Sequence, residues 1–304
     1  MLKKTFRDEE WSIAYRRKRD EENIFTDKET PFIVLKNSWR YWCADPFIVE
    51  ERESLLVFFE AYDRILRRGV LGYRKIRDNK AGKIHIILKE PYHLSYPFIY
   101  REGESWYMIP ESGQDSSIAR YKAVSFPSQW TKEKELASGF GSVDTTLFIE
   151  PNNKTHIFLY VKKDGLKEFQ YLSQDKNGIR MVSSLVDCSE TKRPAGNILK
   201  HQGKMYRPSQ LCTNTYGEAL IFNEILNLST EMYKEKEHER IFTHQLKFSQ
   251  NKEWHGMHTY NATENYEIID MKIERVSLIT IIVKAYLKLK KLSLRQNKQK
   301  EKSI

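Results

Sequence analysis

The chain has 304 residues, 51 Lys and Arg against 41 Asp and Glu, a net charge of +10 and 12% aromatic residues. The charge does not mark a nucleic-acid binder. Met271 to Ile304 contains ten Lys or Arg and two Glu, so this tail carries +8 and the preceding 270 residues +2. A phosphate-binding face needs its positive charge gathered on the folded surface, and no nucleic acid is expected as a partner.

From the N-terminus, residues 1–30 read as a segment outside the main domain. They lack the apolar run and small-residue cleavage site of a secretory signal, which points to a cytoplasmic protein. Next come two stretches that superpose without a gap: PFIVEERESLLVFFE (Pro46 to Glu60) and, 51 residues later, PFIYREGESWYMIPE (Pro97 to Glu111), identical at seven of fifteen positions. Weaker copies follow at Thr146 to Tyr160 and Ala195 to Gln210. Each is an apolar run, a polar turn and a second alternating run, the pattern of a β-hairpin. Similarity at a period near 50 predicts propeller blades. A fifth unit holds His258 to Asp270, after a charged stretch around Thr230 to Arg240 that reads as a helical insertion. The expectation is an all-β, five-bladed β-propeller over residues 31–270.

The tail, 271–304, places Lys284, Lys288, Lys291 and Arg295 on one helical face beside Ile281, Ala285, Leu289 and Leu292. Its longest uncharged run, Val276 to Val283, is too short for the roughly 20 residues that cross a bilayer. An amphipathic helix lying on an anionic membrane surface is expected. The other reading is a last strand followed by an irregular basic end.

In a propeller the inner strand of each blade lines a central channel, and the residues where those strands begin crowd at one mouth. Here these are Asp45, Ser95 and Tyr96, Asp144 and Thr145, Arg193 and His258, while the second strands end at Glu60, Glu111, Tyr160 and Gln210, with Arg207 just before. Glycosyl chemistry builds oxocarbenium character and needs one proton acceptor and one donor. Asp45, Asp144 and Glu111 are the catalytic candidates. Arg193, Arg207, Gln210, Glu60, Tyr96, His93 and His258 are the substrate-binding candidates. Asp45 before Pro46 equally suits a turn; Glu60 and Glu111 suit repeated ion pairs, and either arginine suits a structural partner for an acid. His93 reads equally as a hydrogen-bonding structural histidine. The histidines lack a metal spacing, and Cys43, Cys188 and Cys212 read as ordinary thiols. Neither a metal nor a cofactor is expected, and no GxGxxG or P-loop fingerprint is present.

The segments WCADPFIVE, LVFFEAY, PYHLSYPFIY, YMIPES, VDTTLF, KRPAGNI, MYRPSQLC and MHTYN resemble the N-terminal domain of plant glucosamine inositolphosphorylceramide transferases and its stand-alone bacterial relatives. The resemblance runs from about Trp39 to Asp270. It implies the five-bladed propeller shared with glycoside hydrolase family 43. In that pattern Asp45 matches the base and Asp144 is similar to the tuning aspartate, while the acid, for which Glu111 is chosen, sits elsewhere than at the end of a second strand. The leading expectation is a glycosyltransferase-type enzyme in polysaccharide or glycolipid assembly, peripheral on the inner face of the cell membrane and acting on a sugar or activated sugar. A family 43-like hydrolase and a non-catalytic glycan-binding propeller are the alternatives.

Overall fold

The computed structural model describes residues 7–19, 22–112, 117–138, 141–163, 166–175, 178–186 and 193–276. The chain opens with β1 (Arg7–Arg17) and β2 (Ile33–Val34). The first complete blade follows as β3 (Tyr41–Glu51), β4 (Ser54–Asp63) and β5 (Arg68–Arg77), with short β6 (Lys80–Ala81) and β7 (His85–Leu88) both paired to β5. Blade 2 is β8 (Ser95–Glu102), β9 (Ser105–Glu111), β10 (Ser117–Ser125) and β11 (Gln129–Ser138); blade 3 is β12 (Gly141–Ile149), β13 (Thr155–Lys163), β14 (Leu166–Asp175) and β15 (Gly178–Val186). Blade 4 is β16 (Leu199–His201), β17 (Lys204–Leu211), β18 (Ala219–Leu228) and β19 (Met232–Ile241), and β20 (Tyr260–Ala262) with β21 (Tyr266–Val276) begin the fifth. The result is an all-β, five-bladed propeller.

The repeat sits where the fold needs it. Glu51 pairs with Ser54 and Glu102 with Ser105, so the polar turns of the first two copies are two-residue hairpin loops. Pro46 and Pro97 occupy equivalent places, each one residue after a left-handed residue in an inner-strand bulge: Asp45 (φ 51°) and Tyr96 (φ 44°). Blade 3 repeats the bulge at Asp144 (φ 52°). Asp144 therefore matches Asp45, one register step from the alignment that begins the third copy at Thr146. A left-handed non-glycine residue costs on the order of 1 kcal/mol or more, so three at matching bulges mark a constraint built into the channel wall.

Three regions differ from the sequence expectation. The N-terminal segment is part of the propeller: β1 pairs with β21 along eleven residues, from Arg7 opposite Val276 to Arg17 opposite Tyr266, and joins the two ends of the chain in blade 5. Buried Arg16 fastens it, donating to Glu267 at 2.8 Å, and Glu267 also accepts from the Ile24 amide at 2.6 Å. The charged stretch expected to be a helical insertion is strand β19. Its alternation buries Tyr233 and Glu235 between exposed Met232, Lys234 and Lys236, which is a strand period. Helix among the described residues is limited to a 3-10 turn at Thr243–Gln245. Residues Met271–Val276 of the basic tail complete β21, with Lys272 fully buried; residues 277–304, including the expected amphipathic face, lie outside the described residues. Among the described residues no helix is long and apolar enough to cross a membrane.

Apolar side chains fill the spaces between neighbouring sheets. Phe47, Leu56, Phe58, Phe98 and Met108 pack blades 1 and 2, and Phe158, Tyr171, Ile225 and Tyr233 pack blades 3 and 4. The outer edges of those last two blades also join, β15 running parallel to β19.

Candidate functional site

The last residue of each repeat unit faces the start of its blade's inner strand. Glu60 lies opposite Ala44, Glu111 opposite Ser95 and Tyr160 opposite Val143. The Gln210 amide donates to the Arg193 carbonyl at 3.0 Å and that of Asp270 to Thr259 at 3.3 Å. Glu60, Glu111, Tyr160, Gln210 and Asp270 thus form one ring. Asp270 was missed as a candidate, although it ends the fifth unit just as Glu60 and Glu111 end the first two.

Asp45 and Asp270 link successive blades. The bulges of blades 1 and 2 each free a backbone N–H that the neighbouring blade's carboxylate accepts: Asp45 N–H donates to Asp270 Oδ2 at 3.0 Å, and Tyr96 N–H to Asp45 Oδ2 at 3.1 Å. The Thr259 hydroxyl donates to Asp45 Oδ1 at 3.0 Å. His258 bridges the two aspartates, with Nδ1 2.6 Å from Asp270 Oδ2 and Nε2 3.4 Å from Asp45 Oδ1, and its ring stacks on Trp11 at 4.0 Å. Burial pushes the His258 pKa down, but Asp270 and Asp45 more than offset it, and the net shift is upward. Burial raises Asp45 to about 6, with His258 opposing and Asp144 and Asp270 adding to the rise. Donor atoms of Asp45, His258 and Asp270 lie within 4.8 Å of one another, close enough to hold a metal ion. A protonated His258 supplies positive charge at the same place.

The second cluster joins blades 2, 3 and 4. Arg193 donates through Nε to Asp144 Oδ2 and through a terminal nitrogen to Glu111 Oε2 at 3.3 Å. Gln210 donates to the same Asp144 oxygen at 2.8 Å and to the Pro194 carbonyl at 2.9 Å. Tyr216, 40% exposed, lies against the Arg193 guanidinium at 5.4 Å. Burial pushes the Glu111 carboxyl well above the usual range and Asp144 adds to this, the Arg193 charge opposing only in part. Glu60 is also pushed well up, by burial and then by Asp45, Glu111, Asp270 and Asp144. His93 accepts from the Gly69 N–H at 3.0 Å through Nδ1, which leaves its other nitrogen 3.4 Å from Glu60 Oε1.

Two substrate-binding candidates are placed away from any ligand. Arg207 is fully buried and donates twice to Glu235, at 2.8 and 2.6 Å, with Phe169 under its guanidinium. Three residues from Gln210 along a strand, it points to the opposite sheet face, toward blade 3. Tyr96 is also fully buried; its hydroxyl meets Thr146 Oγ1 at 2.8 Å and accepts the Gly196 N–H at 2.7 Å, tying blades 2, 3 and 4. A Cβ on Gly196 (φ 131°) would sit 1.9 Å from the Tyr260 carbonyl oxygen, so this crossing requires glycine. Of the thiols, Cys43 is buried, its pKa pushed up to about 12 by burial, and Cys212 is free and exposed; Cys188 lies outside the described residues. A separate cleft between blades 2 and 3, about 1190 Å³ and lined by Ile118, Leu136, Leu147 and Leu159, contains none of the clustered carboxylates.

The architecture is that of the glycoside hydrolase family 43 propellers. A GH43 β-xylosidase/α-arabinofuranosidase from a compost microbial metagenome superposes with a TM-score of 0.52 at 10% identity, over 78% of this chain and 91% of that one. The GH43 endo-arabinanase from Bacillus licheniformis gives 0.52 at 15% identity, over 75% and 87%. Identities this low show the fold alone. The chain belongs to the family described as glucosamine inositolphosphorylceramide transferase 1, N-terminal, which matches residues 36–271. Glucosamine inositolphosphorylceramide transferase 1 of Arabidopsis thaliana is 30% identical over 213 residues, 64% of this chain, and that of Oryza sativa subsp. indica 31% over 216 residues, 63% of this chain. The chain spans 27% of the length of each of these relatives.

Proposed function

We propose that this chain is a carbohydrate-active enzyme of glycosyltransferase type, working in polysaccharide or glycolipid assembly at the cytoplasmic face of a membrane. The observation that carries the reading is the pairing of two differently tuned carboxyl groups in one channel mouth. Glu111, its pKa raised well above the ordinary value by burial and then by Asp144, is the group of the cluster suited to donate a proton to a leaving oxygen. Asp45, at about 6, accepts one above that pH, and an ionised carboxylate has lone pairs beyond those that Tyr96 and Thr259 engage. Asp144, held by Arg193 and Gln210, would face developing oxocarbenium charge. The relatives' names favour transfer. Hydrolysis of the family 43 kind is supported by the matching bulges of Asp45 and Asp144, with Glu111 then serving as its acid.

The test is incorporation of labelled sugar from a panel of activated donors into membrane lipid extract, with sugar binding followed by calorimetry. Asp45→Asn is expected to lower turnover about 10²- to 10⁴-fold while sugar binding persists. Unchanged turnover would remove Asp45 from catalysis, and binding without turnover in the parent protein would leave a glycan-binding propeller. The membrane part rests on the spacing of Lys284, Lys288, Lys291 and Arg295, each worth about 1 kcal/mol at an anionic surface. Deleting residues 284–304 is expected to release the protein from anionic vesicles in a sedimentation assay; retention at moderate salt would refute it.

A further inference from the structure

On blade 1 the chain builds a rim above the channel mouth. Strands β3 and β4 continue past the ring as two linked turns. The Ser38 amide donates to the Tyr41 carbonyl at 3.1 Å, the Arg67 amide to the Asp63 carbonyl at 2.7 Å, and the Arg64 amide joins the two turns by donating to the Arg40 carbonyl at 3.0 Å. Tyr41 pairs with Asp63, so this bond carries the pairing one step further, and Trp39 and Ile65 come next on either side. Asp63 lies three residues past Glu60 along β4, which sets these tips on the order of 10 Å beyond the ring, on its mouth side.

Both tips are apolar and open. Trp39 is 80% exposed, the most of any large apolar side chain among the described residues, and Ile65 is 61% exposed. The hairpin loop that carries Ile65 is firmly held: buried Asp63 accepts the Ile65 and Leu66 amides at 2.9 and 3.1 Å and two bonds from Arg40 at 3.0 and 2.7 Å. Four arginines, Arg40, Arg64, Arg67 and Arg68, belong to the same turns. The acids beside them, Asp63 and Glu10, are each paired, with Arg40 and Arg64, and the rim keeps a positive surplus. Exposed apolar side chains within a polar border mark an interaction site. Tryptophan suits the layer where apolar chains meet water, and arginine suits anionic headgroups.

The neighbouring blade emerges on the same side. Glu10, the partner of Arg64, lies opposite Ile273, and β21 runs on from there to Val276, six residues past Asp270 of the ring. The sequence bearing Lys284, Lys288, Lys291 and Arg295 continues from this edge.

We propose that Trp39 and Ile65 insert into the headgroup layer of an anionic membrane, with the blade 1 arginines against its phosphates, so that the protein sits with its channel mouth toward the bilayer. The proposal rests on the membrane part of the reading above and adds to it a contact within the propeller and a fixed orientation. The tail supplies most of the attachment; the rim decides which face meets the lipid. Projecting tips suit a bilayer, which yields around them, whereas a protein partner needs a pocket shaped to receive them. An acceptor anchored in that bilayer then presents its headgroup directly to the ring that holds Glu60 and Glu111.

The test uses the full chain with vesicles of phosphatidylserine and acyl-brominated phosphatidylcholine, against vesicles of the brominated phosphatidylcholine alone. Tryptophan fluorescence should be quenched on the anionic vesicles, and Trp39→Phe, which keeps an apolar tip, should remove most of that quenching while the protein still sediments with them. Ile65→Ser should weaken sedimentation about tenfold. Val124→Ser should leave it unchanged, since Val124 is 68% exposed but lies at the end of β10 away from the mouth. Quenching that survives Trp39→Phe, or equal losses from Ile65→Ser and Val124→Ser, overturns the proposal and leaves the tail contact standing. Vesicle binding untouched by Ile65→Ser also overturns it and leaves the rim to a protein partner, and so does equal binding to the neutral vesicles. Failure of the full chain to sediment with any vesicle removes the membrane reading along with the proposal.

Discussion

Arg193 and Arg207 are fourteen residues apart on the same blade, and their surroundings are opposite. Arg207 has one acidic partner, Glu235, which takes two of its hydrogen bonds and also receives the Tyr233 hydroxyl at 2.5 Å, and no part of Arg207 is exposed. Arg193 is shared between Asp144 and Glu111, leaves an Asp144 oxygen without a donor, and keeps 21% of its side chain open. The matched, closed ion pair ties strands β17 and β19 within blade 4 and presents its guanidinium to Phe169 of blade 3. The unmatched pair at Arg193 stays partly open to the channel. Residue type alone does not separate the two; the count of partners and access to the channel do.

Breaking the matched pair should have the largest effect on stability. Arg207→Ala leaves Glu235 buried without its cation and is expected to cost about 3–5 kcal/mol in denaturant unfolding. Replacing both partners with apolar residues, Arg207→Met with Glu235→Leu, should recover most of that loss. A cost under about 1 kcal/mol for Arg207→Ala would show that the pair contributes little to holding blade 4 together.

Arg193→Met is the matching probe of the open pair. Its expected cost is smaller, about 1–2 kcal/mol, because Gln210 still donates to Asp144 and the Arg193 side chain is partly open to solvent. Destabilisation as large as that of Arg207→Ala would place Arg193 with the structural pairs instead.

Between pH 5 and 8 the channel should make the protein less stable as pH rises. His258 has a raised folded pKa, so its contribution is complete below its unfolded value near 6.5 and is lost as pH climbs through the folded one. Asp45, Glu60 and Glu111 are raised too. The native state then binds more protons than the unfolded chain, and stability falls in the same direction. The melting temperature is expected to drop by a few degrees over this interval, and Glu60→Gln should flatten the slope. A melting temperature that rises over the interval would contradict the assigned shifts.

Much of the propeller was legible because its repeat is local. Each hairpin carries its turn in the sequence, and Pro46 and Pro97 align as the fold aligns them. The inner-strand starts and the second-strand ends could be inferred as a ring for the same reason. What escaped notice depends on distant partners. Strand β1 is recognisable only with β21, more than 240 residues away. The charges of β19 conceal a strand because Glu235 is buried by its pairing with Arg207. Side-chain direction at Arg207 and Tyr96 follows from strand parity and from a left-handed bulge, neither of which the motif letters display.

Turnover and melting temperature measured together for Glu111→Gln test most directly that the unmatched carboxyl cluster is the working site. The substitution removes a buried carboxyl whose charged form burial and Asp144 disfavour, so the melting temperature should hold or rise at neutral pH. Sugar turnover should fall at least about 100-fold. Turnover near that of the parent protein, in a variant that folds normally, would contradict the assignment of this cluster as the site of chemistry.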